Sequence, residues 1–356
     1  MKILVVGDGH STIHEVAVVE AFKQLGHQVE PFYWQVYFRA FNPLIRLWRR
    51  AQNKFLVGPT ISRINADLVT KALQFSPRLI FIYRGTHITP ATILEIKRKL
   101  PDCLIYGYNN DDPFGKGHPP WLWQHFLKCV PSYDIVFAYR HQNLDDFLKL
   151  GAKRVELLRS WFIPRKNHPV ELSEEEKKIY GCDVVFIGHF EADGRFEYLE
   201  EIVRAGNKLH LYGPPYEWNH RLEKSTVLRH LAPVRLVWDE EYNKALCGSK
   251  IALCFFSKLN RDTYTRRCFE IPATQTLLLS EYSTDLSTIY AAGEDADYFK
   301  SKEELIRKIN MYLEDEHLRC HVASNGFCRV TYDGHDIVSR MKRVLDCMDT
   351  IRKGSL

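Results

Sequence analysis

The 356-residue chain lacks any apolar run that approaches the roughly 20 residues of a helix spanning a bilayer. At the N-terminus, "MKILVVGDGHS", the apolar stretch ends at Gly7 and a Gly/Asp turn follows it. This run is too short for the core of a signal peptide, so it predicts a first strand and a cytoplasmic protein. Apolar residues make up 45% and charged residues 26% of the chain, which is typical of a soluble globular protein, and the length suits two domains.

The nine cysteines include no C-x-x-C pair. Their number is odd, their spacing is irregular, and most lie in apolar surroundings such as "ALCGSKIALCFF". These features argue against a disulfide framework and predict buried free thiols.

Acidic residues are absent from residues 31–66, although the whole chain has 44 acidic and 49 basic residues. Aromatic and aliphatic residues interleave with basic ones in "YFRAFNPLIRLWRRAQNKFLV". The basic residues of the acid-free segment are Arg39, Arg46, Arg49, Arg50, Lys54 and Arg63. One interpretation is a helix that buries an apolar stripe in the core. The other is a surface for an anionic partner, such as a lipid-linked phosphate or the inner face of a membrane. Nucleic acid is not expected, because no recognition motif accompanies these residues.

Short apolar runs alternate with segments of helical periodicity along most of the chain. The predicted strands are "KILVV", "RLIFIY" (78–83), "CLIYGY" (103–108), "DIVFAY" (134–139), "CDVVFIG" (182–188), "KLHLYG" (208–213), "RLVW" (235–238), "KIALCFF" (250–256) and "TLLLSE" (276–281). Because apolar strands that alternate with helices are covered on both faces, the pattern predicts an α/β fold with parallel sheets.

A polar stretch from Pro164 to Lys178, which includes "ELSEEEKK", interrupts this alternation. It predicts two Rossmann-like domains, residues 1–165 and 166–335, that face each other across a cleft at the carboxyl ends of their strands. Residues 336–356 are predicted to form a C-terminal helix that packs back toward the N-terminal domain.

Five charged residues lie within "NRDTYTRRCFEIPAT" (260–274), between two strands predicted to be buried. They are Arg261, Asp262, Arg266, Arg267 and Glu270. In a Rossmann-like domain such a loop meets the start of a helix, where unpaired N–H groups favour phosphate. The arginines fit a bound diphosphate, and the two carboxylates can accept hydrogen bonds from sugar or ribose hydroxyls. A surface loop with local ion pairs is the alternative.

From Asn260 onward the sequence resembles the CgeB-like glycosyltransferases, a branch of the GT-B fold with a glycosyltransferase family 1/4-like C-terminal domain. The segment "NRDTYTRRCFEIPATQTLLLSEYSTDLSTIYAAGEDADYFKSKEELIRKINMYL" carries the resemblance. Weaker similarity extends to "CDVVFIGHFEADGRFEYLEEIVRAGNKLHLYG", "IYGYNNDDPF" and "FSPRLIFIYRG". The resemblance implies transfer of a hexose or related sugar from a nucleotide-diphosphate donor to a hydroxyl of a glycan, lipid-linked or protein-linked acceptor.

The resemblance also implies roles for single residues of the second domain. Glu270 is similar to the second acid of the E-x7-E motif, which holds the ribose, and Asp262 stands where the first acid would, near the donor sugar. Arg195 and Arg267 resemble family arginines that face the diphosphate. The predicted donor-binding residues are Gly188, Arg195, Tyr212, Gly213, Arg261, Arg266, Arg267 and Glu270. One departure is "ATQT" (273–276), where the family usually has a glycine that lets the backbone approach a ligand closely.

The first domain is expected to bind the acceptor through its predicted βα loops. These loops carry His10, Ser11, Arg84, Asp111 and Asp112. An inverting enzyme needs a general base near the acceptor hydroxyl, and His10 is the first candidate and Asp112 the second. With Asp262 they make up the predicted catalytic set. A structural turn residue is the alternative for His10 and for Asp112.

No cofactor or metal is expected. "NNDDP" (109–113) mimics a metal-binding D-x-D motif but fits a turn before Pro113. His10 and His14 lack a third ligand at a recognisable spacing. The resemblance implies that cationic side chains, not a divalent ion, stabilise the departing nucleoside diphosphate. Two alternatives share the fold: a nucleotide-sugar 2-epimerase and a non-catalytic protein that binds sugar nucleotides.

Overall fold

The computed structural model describes residues 1–119 and 121–353, and for residues 349–353 it describes the backbone alone. The described chain divides into two compact units. The first comprises residues 1–160 together with the helix that begins at Ile337, and the second comprises Trp161–Asp336.

The first unit is built on a six-stranded parallel sheet of order β2-β1-β3-β4-β5-β6. Its strands are β1 (Lys2–Gly7), β2 (Gln28–Tyr33), β3 (Leu79–Tyr83), β4 (Leu104–Asn109), β5 (Ile135–Ala138) and β6 (Val155–Leu157). Its helices up to residue 160 are α1 (Glu15–Gln24), α2 (Pro43–Phe55), α3 (Pro59–Phe75), α4 (Pro90–Lys99), α5 (Gln124–Cys129) and α6 (Gln142–Lys149). The central strands are largely apolar because helices cover both faces of the sheet, and Ile3–Val6 of β1 is fully buried.

The second unit has a five-stranded parallel sheet of order β11-β10-β9-β7-β8. Its strands are β7 (Cys182–Ile187), β8 (Leu209–Tyr212), β9 (Ser249–Cys254), β10 (Leu277–Glu281) and β11 (Asp297–Phe299). Its helices are α7 (Glu174–Tyr180), α8 (Arg195–Arg204), α9 (Pro215–Leu222), α10 (Asp239–Cys247), α11 (Arg267–Ala273), α12 (Lys302–Glu314) and α13 (Glu316–Tyr332). The last helix of the chain, α14 (Ile337–Lys353), belongs to the first unit and packs there against α1.

The structure corrects one predicted strand. "RLVW" (235–238) pairs with no strand, because its contact with the end of β8 is a single backbone hydrogen bond from Gly213 N to Arg235 O (3.0 Å). Next to it, the backbone N–H of Val234 donates to the side chain of Asn219 (2.9 Å) and not to a strand. Three strands escaped prediction, namely β2, β6 and β11, and each lies at an edge of its sheet.

The cysteines are all free, but not all of them are buried. Five are buried, while Cys320 and Cys328 are exposed on α13. Among the described residues, no helix is both long and apolar enough to cross a bilayer.

Candidate functional site

Glu270 is the most deeply buried of the charged residues in the segment 260–274, with 5% of its surface exposed. It lies in the first turn of α11, after the loop that follows β9. Its Oε2 accepts a hydrogen bond from the Tyr242 hydroxyl (2.8 Å), and its Oε1 lies 2.7 Å from Arg266 Nε. Burial, and then the negative charge of Glu270, raise the pKa of Tyr242, so the phenol stays protonated and donates.

Arg267, beside Glu270, is half-buried. Its Nε atom is buried and has no hydrogen-bond partner in the described part of the chain. The thiols of Cys254 and Cys268, whose sulfur atoms are 3.6 Å apart, lie close to this guanidinium. We call Tyr242, Arg266, Arg267 and Glu270 the Glu270 cluster.

The other two charged residues of the segment lie in the loop before α11. Arg261 is exposed and has a left-handed backbone conformation with a φ of 48°. Asp262 is half-buried, and its backbone N–H donates to Ser257 O (2.8 Å). The loop is fixed at its far side, where the Thr263 hydroxyl donates to Asp285 (2.6 Å). These two hydrogen bonds anchor the backbone of the loop at and next to Asp262.

Gln275 lies within "ATQT" (273–276), the stretch in which the resemblance to the CgeB-like family implies a glycine. It follows the C-terminal end of α11 and has a φ of 59°, the left-handed conformation that glycine adopts with least strain. The chain thus keeps the turn without the glycine.

Gly188 and Gly213 follow the neighbouring strands β7 and β8. A Cβ atom on Gly213 would lie 2.3 Å from Gly188 O, which is too close for any side chain. The same carbonyl oxygen accepts a hydrogen bond from Trp218 Nε1 (2.9 Å). The parallel register pairs Ile187 with Tyr212, and burial raises the pKa of Tyr212 to about 12. The structure therefore brings Gly188, Tyr212 and Gly213 together at one corner of the sheet.

Arg195 begins α8 and is 3% exposed. Its guanidinium makes a bidentate contact with Asp193 (2.8 and 2.6 Å) and donates to His189 O (2.8 Å) and Phe256 O (3.3 Å). These bonds tie the loop after β7 to the end of β9. The residue also lines a cavity of about 230 Å³ together with Lys258 and Lys300. Its role toward a diphosphate stays a prediction, and its nitrogens already have partners within the protein.

In the first unit, polar residues collect at the carboxyl ends of β1, β3 and β4. His10 is exposed, and its Nδ1 lies 2.9 Å from Asp8 Oδ2. The Arg84 guanidinium pairs with Asp111 (2.6 Å) and stacks over the ring of Trp123 (5.2 Å). Ser11 accepts a hydrogen bond from the backbone of its own loop, from Ile13 N (3.4 Å).

A cavity of about 340 Å³ opens beside these residues. Asp8 and Arg84 line it, whereas His10, Ser11, Asp111 and Asp112 do not. Its other walls are Trp34, Asn53, Lys54, Leu56, Thr86, His87, Pro119, Trp121 and Leu122. His87 is buried between Thr86 (2.8 Å from Nδ1) and Asn53 (2.7 Å from Nε2), and burial lowers its pKa to about 3. His87 is therefore a neutral wall of the cavity.

Asp112 is completely buried. Its Oδ1 accepts hydrogen bonds from Phe114 N (3.0 Å) and from the Asn143 side chain (3.0 Å). This is the geometry of a turn-forming aspartate, and it matches the structural alternative for this residue.

The motifs that mimic metal sites have other contacts. Asp111 of "NNDDP" pairs with Arg84, and the His14 ring stacks on Tyr83 (5.6 Å). Within residues 1–119 and 121–353, no group of three or more His, Cys, Asp or Glu side chains is arranged to hold a metal ion.

Two parts of the candidate site could not be found from the sequence. Tyr242 lies 28 residues before Glu270 on a different helix, so no local motif connects them. The cavity in the first unit draws its walls from five separated segments, and only Arg84 among their residues was predicted for the acceptor side.

Residues 195–346 match the family model described as "Glycosyl transferase-like". This segment is similar to the members of that family. It covers less than half of the chain and contains the whole Glu270 cluster. Comparison with curated proteins finds no match.

Solved structures match nearly the whole chain. HepE from Anabaena, in complex with UDP and glucose, has a TM-score of 0.67 at 11% identity, covering 98% of this chain and 100% of its own. Sucrose-phosphate synthase from Thermosynechococcus elongatus has a TM-score of 0.67 at 12% identity, with 99% and 100% covered. A glycosyltransferase from Rickettsia africae has a TM-score of 0.69 at 11% identity, with 99% and 98% covered. The GT-B fold is confirmed, while the CgeB-like subtype stays a prediction.

Proposed function

We propose that the protein transfers a sugar from a nucleoside-diphosphate donor to an acceptor hydroxyl. The observation that carries this proposal is the Glu270 cluster. A carboxylate held at 5% exposure by a tyrosine hydroxyl and an arginine is a rigid acceptor for the paired hydroxyls of a ribose. The match of residues 195–346 to a glycosyl transferase-like family supports the same conclusion.

Within this proposal, the cations of the segment face the diphosphate. Arg267 is the strongest candidate, because its buried Nε has no hydrogen-bond partner in the described residues and a phosphate oxygen would satisfy it. Arg266 is shared with Glu270, and Arg261 is exposed in the loop. Asp262 is proposed to contact the donor sugar.

Gly188 and Gly213 support the nucleotide in another way. A Cβ atom on Gly213 would lie 2.3 Å from Gly188 O, so glycine lets β7 and β8 end side by side at the corner where the nucleotide is proposed to lie. Arg195 is proposed mainly to stabilise the loop after β7 through its hydrogen bonds to Asp193. Its positive potential at the diphosphate is proposed to be a secondary contribution.

The chemistry that these residues support is loss of a nucleoside diphosphate. Negative charge develops on the leaving β-phosphate as the glycosidic bond breaks, and preorganised guanidinium groups stabilise that charge without a metal ion. On the acceptor side, His10 is the proposed general base, because it is exposed and its Nδ1 is oriented by Asp8. The cavity lined by Asp8 and Arg84 is the proposed acceptor pocket; His10 does not line it but contacts its wall residue Asp8.

UDP is the first nucleotide to test, because HepE binds UDP and UDP-glucose. Calorimetry with a panel of nucleoside diphosphates identifies the base, and a nucleotide-release assay with the matching sugar nucleotides identifies the reaction. Slow hydrolysis without an acceptor supports a transferase, interconversion of two sugar nucleotides supports a 2-epimerase, and binding with neither supports a non-catalytic protein. No binding to any nucleoside diphosphate would refute the proposal.

A further inference from the structure

Helix α2 exposes its apolar side chains to solvent, whereas an ordinary surface helix buries them in the core. Leu44, Leu47, Trp48 and Phe55 recur at the spacing that puts them along one face of a helix, yet all four are exposed, Leu44 by 77% and Trp48 by 60%. The only buried side chain of the helix is Gln52. Phe41, just before the helix, is also fully exposed. The interpretation in which these apolar residues pack into the core is therefore wrong.

Polar contacts fix α2 in this orientation. The Gln52 Oε1 accepts a hydrogen bond from Thr60 N (2.7 Å), and the Asn53 side chain bonds the ring of His87 (2.7 Å). At the C-terminal end, Trp121 Nε1 donates to Lys54 O (3.1 Å). Because these contacts hold Gln52 and the C-terminal end of α2 to the protein, the apolar face is held outward.

Basic residues border the exposed apolar face, and no acidic residue lies within residues 31–66. Arg46, Arg50 and Lys54 follow one another at successive turns of α2, and all three are exposed. On the other side, Arg49 and Arg63 line a cavity of about 360 Å³. Asp67, which pairs with Arg63 at 3.6 Å, is the first acid beyond the segment.

We propose that α2 and Phe41 form a docking surface for an anionic phospholipid membrane. Apolar side chains on one face with basic side chains beside them are the properties of helices that lie in the membrane interface. Charge complementarity decides for this occupant over a second copy of the chain, whose α2 would carry the same positive charge. The 13 residues of α2 are too few to span a bilayer, so the helix would lie parallel to the surface.

Docking would have a consequence for the proposed acceptor pocket. Asn53 and Lys54, at the end of α2, line the cavity of about 340 Å³. A membrane under α2 would therefore bring lipid headgroups next to that cavity, which favours an acceptor carried by a lipid. This consequence rests on the proposed function, whereas the docking itself does not.

The test is co-sedimentation of the full chain with vesicles, without any donor. We expect binding to vesicles of phosphatidylcholine with phosphatidylglycerol at low salt, loss of binding at high salt, and no binding to pure phosphatidylcholine. Leu44→Ser/Trp48→Ser removes apolar contacts at constant charge and should weaken binding at least tenfold. Arg46→Gln/Arg50→Gln removes two charges and should weaken it about 30-fold, at five- to sixfold per charge.

Two double variants provide matched controls in the same unit. Arg98→Gln/Lys128→Gln removes two exposed charges, and Leu94→Ser/Leu148→Ser removes two exposed leucines, all four on helices other than α2. Both should bind like the wild type. The α2 variants replace exposed side chains, and unchanged circular dichroism and melting temperature confirm that they fold.

Three outcomes would overturn the proposal: no binding of the wild type to anionic vesicles at low salt, equal binding to neutral vesicles, or equal losses in the α2 and control variants. Sedimentation velocity can also contradict the proposal. It does so if the wild type forms a dimer but does not bind vesicles, and if Leu44→Ser/Trp48→Ser abolishes that dimer. Calorimetry with UDP is done separately, so failure of the donor site and failure of the docking surface are distinguished.

Discussion

Replacing Glu270 by glutamine removes the negative charge of the proposed ribose acceptor while preserving the volume of its side chain. In the wild type one carboxylate oxygen accepts from Tyr242 and the other faces Arg266. Glutamine has a single acceptor oxygen, so it cannot keep both contacts and also bind ribose hydroxyls. We expect nucleoside-diphosphate binding to weaken by about 1–3 kcal/mol, the scale of a lost charged hydrogen-bonding group. This corresponds to an increase in Kd of about 5- to 150-fold.

Two further variants separate a ligand contact from a general loss of stability. Tyr242→Phe removes the hydroxyl that positions Glu270 but leaves the carboxylate charge, so it should weaken binding by about 1 kcal/mol or less. Glu200→Gln is the matched control, because Glu200 also accepts from a hydroxyl, that of Ser225 (2.6 Å), and from an arginine, Arg204 (2.8 Å). It lies on α8, outside the Glu270 cluster, and should not affect Kd.

The assay is isothermal titration calorimetry with UDP and other nucleoside diphosphates, with thermal unfolding measured on each variant without ligand. The assignment of Glu270 as the ribose acceptor is refuted if Glu270→Gln folds and binds every nucleotide with wild-type affinity. It is equally refuted if Glu200→Gln loses as much affinity as Glu270→Gln, because the effect would then not be local to the cluster.

Three other predictions follow from single features of the chain. Turnover should persist in a chelator; activity that disappears and returns with Mg²⁺ or Mn²⁺ would revive "NNDDP" as a metal site. Burial lowers the pKa of His87 to about 3, so below about pH 6.5 the imidazole is protonated in the unfolded state but neutral in the folded state. The free energy of unfolding therefore falls as the pH falls. This loss between pH 7 and pH 5 should be smaller by about 2 kcal/mol in His87→Gln, measured by denaturant unfolding; equal losses would contradict the shift. Gln275→Gly should raise the free energy of unfolding by about 0.5–1 kcal/mol by removing left-handed strain, and a decrease would show that the Gln275 side chain makes a stabilising contact.

The central strands could be predicted from the sequence because both of their faces are buried. "KILVV" and "KIALCFF" are continuous apolar runs for this reason, and they became β1 and most of β9. Edge strands carry less of this signal. The β2 strand contains Pro31, which cannot donate to a ladder, and β6 and β11 have three residues each. The apolar run "RLVW" shows the opposite error, since burial of Val237 does not require a partner strand.

The candidate donor site could be predicted only where it is local in sequence. Arg266, Arg267 and Glu270 lie within one turn of the start of α11, so their spacing alone brings them together. The partner of Glu270 comes from α10, and a charge pattern holds no information on which helices are neighbours. The role of Arg195 could not be predicted from the sequence for a related reason. Its guanidinium pairs with Asp193, two residues away, and the sequence does not show whether that pair forms or whether the arginine faces a ligand.

The same distinction explains why the sequence left two interpretations for residues 39–63. Periodicity establishes that α2 has an apolar face, but it does not determine which way that face points. The direction depends on Asn53 and Gln52, whose partners His87 and Thr60 lie outside the helix. Gln52 is buried, and a buried amide without a partner costs about 1–3 kcal/mol. The hydrogen bond from Thr60 N to Gln52 therefore resists rotation of the helix about its axis. The apolar face therefore stays outward before any partner arrives, and a membrane would bind it without a prior conformational change.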